Sequence, residues 1–443
     1  MSVAAPPLSS RAIKTASLIV PALIYAAIIV LLWRFTAITP ERDGRGHDGR
    51  YYAMMAGDER HAESFIPVAP FCYRLITPAL ASLLDGPVVW RFRIVNAIAW
   101  WAALLAFHIL IRQCGLSRTT AYVGCALLAT CAWGPIAGLY NPCYVDPLMY
   151  LFIFTGLILL LRRSAWLVVL LPIAMLQREQ VLIVWACSLS IAAAGGLRSL
   201  TRRQFAIHAG VFFACMLVYA GLRWWIQPIF STAAAPWAVA ASVIKWLFED
   251  TGYAMKSLLA IIYALGLPAI AVLCLPEARS WMRTQRWPVA YTVLAVLSVL
   301  GGSDKARLVF LATPVLIIAM LHGWSHLPDY ARRAGLAATA CLLHVYFQLP
   351  PHLMLSGGLI QAPLIDEMDR GTHGANFLHG PGWWPVEMST VALHVLGCAV
   401  LSYVLGRIAL RSPILDSSSA PKVRLSFSPG QRPGSSMPSA IKP

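Results

Sequence analysis

The chain is a string of apolar segments joined by short polar loops. A hydrocarbon core roughly 30 Å thick takes about 20 apolar residues per helix, and several segments approach or reach that length without a charge. Continuous runs such as Leu151 to Leu161 argue against a transmembrane barrel, whose strands alternate over about ten residues. The pattern predicts spans at about Lys14–Ile38, Ile94–Ile111, Thr120–Leu139, Tyr144–Leu161, Phe205–Trp224, Ser257–Leu275, Trp287–Gly301, Leu308–Trp324, Ala334–Leu349 and Ser389–Leu410. The piece Leu75 to Leu84, with Pro78 and then Asp85-Gly86-Pro87, is too short to cross and is expected to lie in the interface.

One stretch resists a single helix. Arg162-Arg163 precede it, Arg198, Arg202 and Arg203 follow it, and Gln177-Arg178-Glu179-Gln180 interrupts it. A single crossing would put its two basic ends on opposite sides, against the tendency of Lys and Arg to collect on the cytoplasmic side. Two short helices meeting at Gln177 to Gln180 satisfy that tendency and hold Arg178 and Glu179 at or just below the outer surface. The total then comes to about twelve crossings with both termini cytoplasmic. Of the nineteen acidic residues, only Glu277, Asp329 and Asp416 fall in segments read as cytoplasmic.

Composition narrows the class further. A chain of 443 residues that is 58% hydrophobic and 12% charged is not a soluble globular protein. The net charge of +16 does not imply a nucleic-acid partner, because the basic residues stand in twos and threes beside apolar segments rather than in a stripe interleaved with aromatics. The ten cysteines form no C-x-x-C pair and read as small buried hydrophobes. Cys72 and Cys143, near the outer face, could form a disulfide. The pairs Trp100-Trp101, Trp224-Trp225 and Trp383-Trp384 read as interface anchors or packing. No A-x-A site follows the long run from Ala16 to Trp33, so a retained anchor is expected rather than a cleaved signal. The expected organisation is an all-α, polytopic transmembrane helical domain over residues 1–411. It includes an outer loop with an interfacial helix at 39–93 and is followed by a disordered cytoplasmic tail at 412–443.

The densest acidic group, Glu41-Arg42-Asp43-Gly44-Arg45-Gly46-His47-Asp48-Gly49-Arg50-Tyr51-Tyr52, follows the first span directly. A carboxylate held there can act as general base for a hydroxyl acceptor. Asp48 and Asp43 are the candidates, with Tyr51 and Tyr52 as aromatics at headgroup depth. A solvated loop that favours orientation explains the same charges. Pro70-Phe71-Cys72-Tyr73-Arg74 comes next. Arg74 would stand at the depth of lipid phosphates, where its planar fork fits phosphate oxygens. An Arg snorkelling to headgroups would stand there too.

An acid with Tyr-Tyr after the first helix, then Pro-Phe-x-Tyr-Arg-x-x-x-Pro before a short apolar helix, resembles the membrane glycosyltransferases of the GT-C type. Gly301-Gly302-Ser303-Asp304-Lys305-Ala306-Arg307, followed by an apolar span with Pro314, is similar to a late motif in many of them. The resemblance implies a polyprenyl-phosphate-linked sugar as donor and a lipid, glycan or protein acceptor. It implies transfer at the outer face of a membrane, expected to be a bacterial cytoplasmic (inner) membrane. It also implies Asp48, or its rival Asp43, as the base and Arg74, Lys305 and Arg307 on the donor phosphate. Tyr51, Tyr52, Tyr73, Asp146, Arg178, Glu179 and Asp304 would line the cavity. Glu41 and Asp43 could hold a divalent cation, since oxygen ligands suit Mg or Mn, but the sequence requires no metal.

Several features carry a plainer alternative. Asp146 could cap a helix, where an acid satisfies free N–H groups. Arg178 and Glu179 could simply pair with each other, although a broken helix at membrane depth usually lines a cavity. His322 and His326 have a spacing that can bind metal but lack further ligands. A multi-helix lipid or glycolipid transporter, or a flippase without transferase chemistry, would carry similar loops and a broken helix. Related halves with matching intramembrane charges, expected of a transporter, are not seen in the sequence.

Overall fold

The computed structural model describes residues 16–326 apart from 37, 40, 47, 62–63, 195–201, 228–229, 232–240, 242–243, 246–247, 250 and 302–304. The spans expected at Ala334–Leu349 and Ser389–Leu410, the Trp383-Trp384 pair and the tail from Ser412 lie outside the described residues. Among the described residues, the regular elements are helical apart from one pair of two-residue strands.

Helix α1 (Ala16–Phe35) is apolar along its length and stands at the margin of the bundle. The chain then crosses the end of the bundle as α2 (Gly49–Met55) and α3 (Ile76–Ser82), the latter within the expected interfacial piece. Helix α4 (Val88–Gln113) starts at Val88 rather than at Ile94. Asp85-Gly86-Pro87 separates it from α3, and Arg91 and Arg93, which fall in the expected outer loop, are housed inside the helix. Arg93 lies over the rings of Trp33 at 4.9 Å and Trp90 at 5.3 Å and donates to the carbonyls of Trp33 at 2.9 Å and Thr36 at 2.5 Å. It thus satisfies carbonyls that the end of α1 leaves without helical partners.

Helix α5 (Arg118–Thr130) begins at Ser117, whose hydroxyl accepts from the Thr120 amide. The span expected to run on to Leu139 is broken. Trp133-Gly134-Pro135 bends the chain by 47° into α6 (Ala137–Tyr140), since a proline removes a helical donor and crowds the preceding turn. Asn96 fixes the next turn by donating to the carbonyls of Pro142 at 2.6 Å and Tyr144 at 2.8 Å. Helix α7 (Asp146–Leu161) follows. The expected break is present. Helix α8 (Leu167–Met175) ends before Gln177, and α9 (Leu182–Ala194) starts after a short 3₁₀ turn at Glu179–Val181. At 1.5 Å per residue, the nine residues of α8 reach only about 14 Å, less than half a bilayer core.

Helix α10 (Arg202–Trp225) ends on Trp224 and Trp225, both exposed as an interface anchor requires. Trp100 is different: it is buried and stacks on Tyr150 at 5.1 Å, a packing residue at the heart of the bundle. Beyond α10, strand β2 (Phe230–Ser231) pairs in parallel with β1 (Val68–Ala69). Helix α11 (Thr251–Cys274) kinks at Gly266. Between the spans expected at Ser257–Leu275 and Trp287–Gly301, α12 (Pro276–Gln285) forms an amphipathic helix that buries Ala278 and Met282 and exposes Arg283. Helices α13 (Trp287–Leu297), α14 (Lys305–Val309) and α15 (Thr313–Ser325) complete the described part.

Among the described residues, four helices are long and apolar enough to cross a membrane: Leu18–Phe35, Val88–Gln113, Phe205–Trp225 and Arg307–Ser325. The bent α5–α6 pair makes a fifth if it counts as one span. The last of the four is the central one. Its side chains are almost wholly buried, whereas those of α1 and α10 mostly face outward. One end of the bundle gathers the end of α1, the starts of α4, α7 and α14, the α8–α9 break and the end of α10.

Candidate functional site

Asp48 sits immediately before α2, and its position depends on a glycine. A Cβ on Gly49 would lie 2.9 Å from the Cβ of Cys143, so only glycine lets the start of α2 lean on the turn that leads into Asp146. Upstream, Arg42, Asp43 and Gly44 are three successive residues in the left-handed region, at φ of 47°, 52° and 91°. Asp43 is exposed and pairs with exposed Arg60 at 2.6 Å. Arg45 clasps buried Asp58 in a separate pair. No contact joins Asp43 to Asp48 or its partners among the described residues.

Around Asp48 the structure assembles six charges from five segments. Arg307 donates from Nη2 to Asp48 Oδ2 at 2.9 Å and brings its Nε to 3.6 Å from Asp146 Oδ2. Its guanidinium also lies over the Tyr144 ring at 4.6 Å. Arg178 pairs with Asp146. Arg74 donates from Nη1 to the Tyr52 hydroxyl at 2.6 Å and from Nη2 to Glu179 Oε1 at 3.2 Å. Three guanidiniums thus face three carboxylates, and the formal charge of the cluster is zero. Arg178 and Glu179 do not pair with each other. The extended backbone at Arg178 (φ −170°, ψ 140°) turns the two neighbours apart, so Arg178 reaches Asp146 at the start of α7 and Glu179 reaches Arg74 in the segment before α3. Asp146 lies in the first turn of α7, whose N-cap position is held by Val145, a residue with no polar side chain, and its carboxylate is directed to Arg178 and Arg307. It serves the cluster.

Gln177 fixes the break against the other segments. Its amide donates to the Thr77 hydroxyl at 2.8 Å and to the carbonyl of Val145, and its Oε1 accepts from the Thr77 amide at 3.1 Å. The Leu75 amide donates to the Leu176 carbonyl at 2.7 Å. Buried polar groups joined in this way define one geometry, since each lost bond would strand a partner.

Burial opposes the charged form of Asp48, but the adjacent Arg307 guanidinium, assisted by Arg74 and Arg178, outweighs it and holds the carboxyl below the usual carboxylate range. Asp48 is therefore an ionised acceptor at neutral pH. Arg307 engages Oδ2, and Oδ1 is the other oxygen that can accept a proton.

Of the other residues read from the sequence, Tyr52 and Arg74 are both buried in the site. Tyr51 stacks on Phe71 at 4.8 Å and accepts from Arg50. The Asp304 backbone and side chain, and the side chains of Glu41 and Lys305, lie outside the described residues. Cys72 and Cys143 are both buried and free, which corrects the disulfide. His322 stacks on Trp281 at 4.5 Å. Among the described residues, no three His, Cys, Asp or Glu side chains gather as a metal site. Arg223 was not picked out from the sequence. Its guanidinium lies 3.4 Å from the Tyr219 ring centroid and 4.4 Å from that of Tyr73, beside Arg74 in the chain. The i, i+4 spacing of Tyr219 and Arg223 on an apolar helix was the available signal.

No protein-family model matches the chain, and no curated protein matches it. In fold, the chain is similar to crystal structures of ArnT from Cupriavidus metallidurans. With the apo state the TM-score is 0.47 at 11% identity, covering 87% of this chain and 76% of that one. With the form bound to undecaprenyl phosphate the TM-score is again 0.47, at 14% identity, covering 88% of this chain and 77% of that one. A likeness of this size assigns no residue a role, and the chemistry rests on the side chains themselves.

Proposed function

We propose that this chain is an integral membrane glycosyltransferase of the GT-C type. It moves a sugar from a polyprenyl-phosphate donor to a hydroxyl acceptor at the outer face of the membrane, in a bacterial cytoplasmic membrane. The observation that carries the reading is the convergence of Asp48, Arg74 and Arg307 on one end of the bundle, with Arg307 2.9 Å from Asp48. Withdrawing most of six charges from solvent is costly, and apolar residues of similar volume commonly stabilise a protein as well or better. A network of this kind next to the membrane boundary is therefore read as chemistry.

Asp48 Oδ1 takes the proton from the acceptor hydroxyl as its oxygen forms a bond to the anomeric carbon. The bond from that carbon to the phosphate oxygen breaks, and the phosphate leaves with the electron pair. Arg74 and Arg307 offset the negative charge that builds on the leaving group, and Lys305 is assigned to the same task. Asp146 and Arg178 orient Arg307 and line the cavity with Tyr51, Tyr52, Tyr73, Glu179 and Asp304.

The test is sugar transfer in membranes supplied with labelled polyprenyl-phosphate sugars. General-base assistance is worth about 10²- to 10⁴-fold, so Asp48→Asn should nearly abolish transfer while donor binding persists. Asp43→Asn should behave as wild type, because its carboxylate pairs with Arg60 on the surface. Full transfer by Asp48→Asn would remove the base, and full transfer by the double variant as well would end the acid–base proposal.

A further inference from the structure

The two bonds made by Arg74 differ in kind. Nη1 donates to buried Tyr52, an interior contact. Nε and Nη2 form the opposite, parallel edge of the guanidinium, the edge that takes a carboxylate or phosphate by two bonds at once. On that edge Nη2 reaches one oxygen of Glu179 at 3.2 Å, and Nε is buried without a hydrogen-bond partner. On Arg307 the same edge is already flanked by two carboxylates, Asp48 at 2.9 Å from Nη2 and Asp146 at 3.6 Å from Nε, the latter an ion pair beyond hydrogen-bond reach.

Glu179 also has the most exposed side chain of the three acids in the cluster. Its side chain is 41% exposed, against 10% for Asp146 and 24% for Asp48, while the Arg74 side chain beneath it is 6% exposed. It stands on the short turn between α8 and α9. The cluster is formally neutral, so an incoming phosphate is accommodated best if one carboxylate withdraws.

We infer that Glu179 is a displaceable occupant of the oxyanion-binding edge of Arg74, and that a phosphate group binds there by replacing it. The inference rests on the polyprenyl-phosphate reading of the same site and adds how the empty site is held closed. Glu179 stabilises buried Arg74 in the absence of ligand and leaves one donor unfilled. A phosphate fills both donors and releases the carboxylate to solvent. Tyr52 and Glu179 therefore have opposite effects on binding, one supporting Arg74 and the other competing for it.

The experiment is calorimetric titration of the purified full chain in detergent with farnesyl phosphate, inorganic phosphate and farnesol in separate arms. Glu179→Gln and Glu179→Asp should each bind farnesyl phosphate about three- to tenfold tighter than wild type, the scale of one lost competing hydrogen bond. Farnesol should show no gain. Arg74→Lys keeps the charge but lacks the two-donor edge, and in that background Glu179→Gln should make no difference. A gain with farnesyl phosphate alone identifies the lipid headgroup as the ligand, and an equal gain with inorganic phosphate identifies free phosphate. Equal or weaker binding by both Glu179 variants, with wild type binding normally, overturns the inference and leaves the transferase reading in place. No saturable binding of farnesyl phosphate to any form would count against the transferase reading itself.

Discussion

Asp48 and Arg307 lie 259 residues apart in the chain and 2.9 Å apart in space. The contact sets the ionisation of the proposed base. A carboxyl whose pKa is depressed stays charged to lower pH, so the acid limb of the transfer rate should fall below the usual carboxylate range in wild type. Arg307→Gln removes the cation and leaves the burial, which favours the neutral acid. The acid limb should then move to higher pH, beyond any loss in maximal rate. Rate profiles normalised to their own maxima would read this, and coincident limbs would disconnect Arg307 from the base.

Arg178 and Asp146 make a buried pair that spans the α8–α9 break and the start of α7. Breaking a buried pair from one side costs about 3–5 kcal/mol, because it strands the other charge. Asp146→Asn and Arg178→Gln should each lower the midpoint of thermal unfolding clearly, and the double variant should recover part of the loss. Two losses that simply add would show that the residues act independently.

Much of this architecture was readable because lipid imposes strong constraints. Apolar length placed α1, α10 and the central Arg307–Ser325 span, and the basic flanks at Arg162-Arg163 and Arg198 required the break at Gln177 to Gln180. Hydropathy places a residue along the membrane normal but does not identify its partner. For that reason the pairing of Arg178 with Asp146, rather than with Glu179, was not legible. It depends on an extended backbone at Arg178. The early start of α4 was missed because Arg91 and Arg93 look like loop residues, whereas aromatic rings and the carbonyls of α1 take up the Arg93 charge. The bend at Gly134-Pro135 had its signal in the sequence, but the apolar run around it outweighed that signal. For the site, the short motifs named Asp48, Tyr52, Arg74 and Arg307, and the structure brings these four together. Asp43 is turned to the surface by left-handed backbone and by a partner, Arg60, that composition does not reveal.

Tyr52 accepts from Arg74 at 2.6 Å inside the protein. Tyr52→Phe keeps the ring and its edge-on contact with Phe71 but leaves a guanidinium donor unpaired. A hydrogen bond to a charged group contributes about 1.5–3 kcal/mol. Donor affinity should therefore weaken by about tenfold or more, appearing as a raised KM with kcat little changed. A fall in kcat at constant KM would instead place Tyr52 at the reacting atoms.

The position of Asp48 depends on the absence of a side chain at the next residue. At Gly49 an added Cβ would meet the Cys143 Cβ at 2.9 Å, closer than side-chain carbons pack. The neighbour is a Cβ rather than the far end of a flexible chain, so the backbone must give way. Overpacking of this kind costs about 1–3 kcal/mol, and here the strain would fall on the residue that carries the proposed base. Gly49→Ala should therefore lower transfer far more than its modest effect on thermal stability suggests, because a small displacement moves Asp48 away from Arg307. Removing the obstructing atom with Cys143→Gly in the same chain should restore part of the activity. Cys143→Ala keeps that Cβ and should not. The two double variants differ by one methyl group, so comparing their transfer rates isolates the contact. Equal rates in both would show that Gly49 serves the fold of α2 rather than the placement of Asp48.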